Sequence, residues 1–99
     1  MAVPTTDRAG VQEAVAVLIA DGWALKHVND GGDTILTKTT SRAVHAIMAS
    51  GRALLTVTKG EEEGKVFFVL GSEPDEVVCD YTANLVVLDT LIDGWISEA

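Results

Sequence analysis

Cysteine is almost missing from this chain of 99 residues: Cys79 stands alone. A single thiol cannot close an internal disulfide, so packing must hold the fold, and a reducing, cytoplasmic setting is expected. Long hydrophobic runs are missing too. The longest, such as Val66 to Leu70 and Leu85 to Leu88, fall far short of the roughly 20 residues that span a bilayer. Residues 1–7 lack a basic start followed by an apolar stretch, so no signal peptide is expected.

Positive charge is scarce where it counts. The net charge is −8, but residues 1–59 hold six Lys or Arg against five Asp or Glu, a net +1. Residues 60–99 hold Lys65 alone against ten carboxylates, a net −9. Phosphate contacts require Lys and Arg, so direct binding to nucleic acid or to an anionic membrane is not expected. A basic protein partner is compatible with such a surface. What the chain does have is apolar content, 47%, enough to build one core and hence one domain over residues 1–99.

Periodicity divides that content into elements. Thr6 or Asp7 can cap a first helix with Val11, Val15, Leu18 and Ile19 on its core face, and Gly22 supplies a left-handed stop. Trp23 to Val28 alternates as a strand, with Trp23, Leu25 and His27 on one face. Asn29-Asp30-Gly31-Gly32-Asp33 is a hairpin signal, and Thr34 to Lys38 returns as the second strand. Thr40 or Ser41 caps a short helix with Val44, Ile47 and Met48 inward.

Arg52 to Lys59 is a third strand, residues 60–64 a charged turn, and Lys65 to Leu70 a fourth strand, apolar on both faces and so placed inside the sheet. Residues 75–81 read as strand or helix; the β-formers around Val77, Cys79 and Tyr81 favour a strand, with Thr82 capping a last helix over about residues 83–97. That helix places Leu85, Leu88, Ile92, Trp95 and Ile96 inward, with Val86, Val87 and Leu91 off the main stripe. The predicted architecture is α+β, in the order α-β-β-α-β-β-β-α. It has three helices on one face of a mainly antiparallel sheet of four to five strands.

Candidate chemistry is thin. Cys79 with His27 or His45, oriented by Asp80, would make a thiolate–imidazole pair, but no helix start or local signature activates the thiol. On a strand, Cys79 reads as a small core residue. A zinc site from Cys79, His27 and His45 lacks a fourth ligand. The 29–33 segment has neither calcium-loop spacing nor a phosphate-loop glycine pattern. No catalytic residue, metal or cofactor is expected.

Two acidic features remain: Glu61, Glu62 and Glu63 at a hairpin, and Asp89 with Asp93, one helical turn apart at about 6 Å. Together with Asp75, Glu76 and Asp80 they make a candidate partner-binding surface, or only a solubilising one. The apolar surplus of the last helix would also suit a homodimer.

The run from Trp23 to Asn84 adds a pattern. Asn-Asp-Gly-Gly-Asp at 29–33 is followed by a short helix, two strands and Val78-Cys79-Asp80-Tyr81-Thr82-x-Asn84-Leu85. It resembles small proteins carried by bacterial phages, plasmids and other mobile elements. That resemblance implies a setting in which small acidic proteins inhibit host machines, as anti-CRISPR and other counter-defence proteins do; with the −9 segment and the missing catalytic set, the expectation is a non-enzymatic inhibitor of a basic, nucleic-acid-handling protein. The alternatives are a structural or regulatory homodimer and an immunity protein for a basic toxin.

Overall fold

The structure, a computed structural model, describes residues 3–98, with the Glu98 side chain set aside. α1 (Asp7–Ala20) starts at Thr6, whose hydroxyl accepts a hydrogen bond from the Ala9 amide at 3.1 Å. It ends before Gly22, which takes a φ of +95°. A hairpin of β1 (Ala24–Asn29) and β2 (Thr34–Leu36) follows, then α2 (Thr40–Ser50). β3 (Arg52–Lys59) and β4 (Glu62–Val69) form the longest pair. A single 3-10 turn (Pro74–Glu76) leads into β5 (Val78–Tyr81), and α3 (Val86–Glu98) closes the fold. Every strand pair is antiparallel and the order across the sheet is β2-β1-β3-β4-β5. The fold is α+β, as the periodicity predicts.

One sheet face carries Leu25, Val28, Ala53, Leu55, Val57, Val66 and Phe68 into the core. Helical residues Val11, Val15, Leu18, Val44, Ile47, Leu88 and Trp95 cover them. Each large apolar side chain so buried stabilises the fold by about 1.5–3 kcal/mol. α1 packs between α2 and α3. β1 and β2 lie at one edge of the sheet and β4 and β5 at the other. The charge asymmetry of the sequence thereby becomes an asymmetry in space: the near-neutral segment builds one side and the acidic segment the other.

Several local expectations are corrected, each for a packing reason. β1 carries a bulge between Leu25 and His27. The extra residue lets both Leu25 and Val28 face the core and turns His27 to the opposite face, breaking the strict alternation. β2 stops at Leu36, two residues early. The cap of α2 is Thr39, whose hydroxyl accepts from the Arg42 amide, not Thr40 or Ser41. The β3–β4 turn is tighter than predicted: Lys59 pairs with Glu62, so Glu62, Glu63 and Gly64 belong to the strand.

In α3 the buried stripe is rotated. Leu88, Leu91 and Trp95 are buried, while Ile96 is 65% exposed. Ile19 at the end of α1 is likewise outside the core, 42% exposed. Thr82 does not cap α3. Its hydroxyl accepts from the Lys65 amide and donates to Asn84 Oδ1, tying the end of β5 to the start of β4. α3 accordingly begins only at Val86.

Candidate functional site

Cys79 is exposed, not a core residue. It is the unpaired residue of a second bulge: Phe67 faces Asp80 while Phe68 faces Val78. A bulged residue on an edge strand has no partner to cover it, so its side chain faces solvent. We expect Cys79 to be alkylated completely in the native protein without denaturant; protection from iodoacetamide until unfolding would contradict this placement. The thiol has no imidazole beside it. His27 lies on β1, three strands away, about 14 Å at ordinary strand spacing. His45 is exposed on α2, which packs on β1 and β3. Among the described residues no three His, Cys, Asp or Glu side chains gather as a metal site.

The 29–33 hairpin is a self-contained turn. Asp30 Oδ1 accepts from the amides of Asp33 at 2.7 Å and Gly32 at 3.0 Å, and Asn29 Oδ1 from Gly31 at 2.8 Å. The amides of Asp33 and Gly32 hold the Asp30 carboxyl below the usual carboxylate range. These carboxylate and amide oxygens serve the backbone of their own turn, as such residues commonly do in loops.

The acidic residues fall into three places. Glu61 and Glu62 stand exposed at the β3–β4 tip. Glu63, next along the strand, sits between two lysines, 3.4 Å from Lys26 Nζ and 4.0 Å from Lys65 Nζ. Such exposed pairs contribute at most about 1 kcal/mol, but they offset the charge of Glu63 locally. Asp75 and Glu76 lie in the 3-10 turn, which leads into β5 at the end opposite Tyr81 and touches α3 there. Asp80, Asp89 and Asp93 gather around Tyr81, where β5 forms the edge of the sheet and α3 passes beside it.

Tyr81 registers that gathering. Its hydroxyl donates to Asp89, and its own amide hydrogen bonds to Asp80 Oδ1 at 2.9 Å. The bond to Asp89, then partial burial, then the charges of Asp89, Asp93 and Asp80 push the phenol up from 10.0 to about 12. Asp80 also satisfies an amide on an edge strand, which discourages pairing with another chain. Tyr81 is the only tyrosine, so absorbance at high pH reads it alone. The tyrosinate midpoint of the folded protein should lie near 12 and fall toward 10 in Asp89→Asn. Because the folded value is raised, the stability it contributes is complete below pH about 10 and lost as the pH climbs through about 12. A midpoint near 10 in the native protein would refute the bond to Asp89.

Sequence reasoning singled out these carboxylates but missed their grouping around Tyr81. The spacing of Asp89 and Asp93 shows a helical stripe; nothing local shows that Asp80 lies beside it. Val86, 61% exposed, precedes Asp89 by three residues and Asp93 by seven, so an apolar residue belongs to the same acidic stripe. No helix among the described residues is long and apolar enough to cross a membrane. No family model matches the chain, and neither curated proteins nor solved structures yield a match.

Proposed function

We propose that this chain is a non-enzymatic binding protein that engages a basic, nucleic-acid-handling protein through the β5–α3 side of its sheet. Occlusion, or competition for the Lys and Arg side chains that otherwise hold phosphates, would make it an inhibitor of the anti-CRISPR or counter-defence kind. The observation that carries the reading is the convergence of Asp80, Asp89 and Asp93 on Tyr81, in a segment with a single lysine. Glu61 and Glu62 extend the negative surface at the β3–β4 tip, and exposed Val86 supplies an apolar contact within it.

A triple variant, Asp80→Asn with Asp89→Asn and Asp93→Asn, tests the proposal against partners captured from host lysate at low and at about 0.5 M salt, where screening shortens to a few ångströms. Wild-type protein is expected to hold a basic protein at low salt and release it at high salt, and the variant to hold little at either. Capture indifferent to salt or to the three substitutions would refute the electrostatic reading.

Exposed Val86 and Ile96 on α3 favour a second reading, a homodimer through that helix. Two copies of α3 face to face would oppose their Asp89 and Asp93 side chains, so a dimer should strengthen with salt where binding to a basic partner weakens. Light scattering at both salt levels separates the two.

A further inference from the structure

A surface cavity of about 470 Å³ lies on the opposite side of the molecule from the acidic cluster, between α2 and the β1–β2 hairpin. Arg8, Arg42 and His45 line it together with Asp30, and Ile35 and Ala46 give it an apolar floor. Its volume is that of an ordinary small-ligand site. The hydrogen bonds from Gly71 to Asp7 and from Leu70 to Gly51 set the start of α1 beside the end of α2. Arg8 therefore enters the cavity from one end of α2. Arg42 stands in the first turn at the other end and His45 between them, less than one turn further along. Ala46 and Ala49 keep that helix face shallow and leave the volume open.

Only seven of the chain's residues are Lys or Arg. Lys26, Lys59 and Lys65 are ion-paired with Glu63 or Asp21. Among the described residues Arg8, Lys38, Arg42 and Arg52 make no salt bridge, and of these four Arg8 and Arg42 share the cavity lining. Both also stand in the first turn of a helix, where the backbone dipole disfavours a cation, and α2 has no acidic residue in its first turn to compensate. Helix stability therefore does not account for Arg42. An anion seated in the cavity would give the Arg42 guanidinium a partner. The one carboxylate of the lining, Asp30, already receives two amide hydrogen bonds from its own turn.

We propose that this cavity binds a small phosphate-bearing molecule of mononucleotide size. The guanidiniums of Arg8 and Arg42 and a ring nitrogen of His45 would hold the phosphate, and Ile35 and Ala46 would pack against the remainder. Guanidinium forks match phosphate oxygens in geometry as well as charge. The site is independent of the acidic surface and stands whether or not the inhibitor reading does.

Calorimetric titration with adenosine monophosphate and with inorganic phosphate, at low salt, tests the proposal on the wild type and on Arg42→Gln, Arg8→Gln and Arg52→Gln. All three arginines are exposed, so the variants should fold, which circular dichroism checks. Two charge-assisted hydrogen bonds support a Kd of about 1 mM or tighter for the nucleotide. Arg42→Gln or Arg8→Gln should weaken it about tenfold, and Arg52→Gln, outside the cavity lining, should leave it unchanged. Three outcomes would each overturn the proposal: no saturable binding to the wild type, an equal loss in Arg52→Gln, or inorganic phosphate binding as tightly as the nucleotide.

Discussion

Trp95→Ala is expected to cost about 3–5 kcal/mol of folding stability, the range for deleting a large buried aromatic side chain. The indole is fully buried and heads the largest buried side chains of the core. It anchors α3, whose other buried side chains, Leu88 and Leu91, share its stripe. A domain of this size is stable by about 5–15 kcal/mol, so the variant would lose a large share of the whole. Its melting temperature should fall by roughly 15–30 °C, at several degrees per kcal/mol.

Trp95→Phe separates two contributions. It keeps most of the apolar volume and removes the indole Nε1, which is buried with no hydrogen-bond partner among the described residues. Leaving such a donor unpaired costs about 1–3 kcal/mol. The phenylalanine variant should therefore lose less than half of what the alanine variant loses. Urea denaturation followed by circular dichroism measures both. A loss below about 1 kcal/mol in Trp95→Ala would mean that α3 is not docked through this residue.

Gly64→Ala is the second large effect, at about 1–3 kcal/mol from overpacking. Gly64 faces the core opposite Val57, and Leu85 fills the space where its side chain would be. A Cβ there would lie 2.5 Å from Leu85 Cδ2 and 2.9 Å from Cγ. Leu85 is itself fully buried, so it has little room to retreat. Leu85→Ala alone should cost about 2–5 kcal/mol through the cavity it leaves. The double variant removes the clash and partly fills that cavity, so it should be more stable than the sum of the single losses predicts by at least about 1 kcal/mol. Strict additivity would show that Leu85 does not set the requirement for glycine.

These two sites also mark what was legible beforehand. Leu85 and Trp95 read as core from helical spacing. The need for glycine at 64 did not, because it arises from a residue 21 positions away. Helical spacing puts Leu91 off the stripe and Ile96 on it; the direction from which α1 and the 3-10 turn approach α3 reverses that order. Strict alternation likewise put His27 with Leu25, and a bulge between them undid it. A bulge follows from how β1 pairs with β3, not from the composition of β1.

The sequence by itself determined the class and order of the elements, because periodicity, caps and turn residues act over a few positions. It also determined how charge divides along the chain, with one lysine among the last forty residues. Only the tertiary structure decided which of those charges meet. The pairing of β4 with β5 and the passage of α3 beside that edge bring Asp80, Asp89 and Asp93 to Tyr81. The same pairing leaves Cys79 in solvent. On the opposite side, α1 and α2 bring Arg8, Arg42 and His45 to one cavity, though 37 residues separate the first from the last. Electrostatic grouping depends on distance in space, and distances between elements are set by how their buried faces pack together.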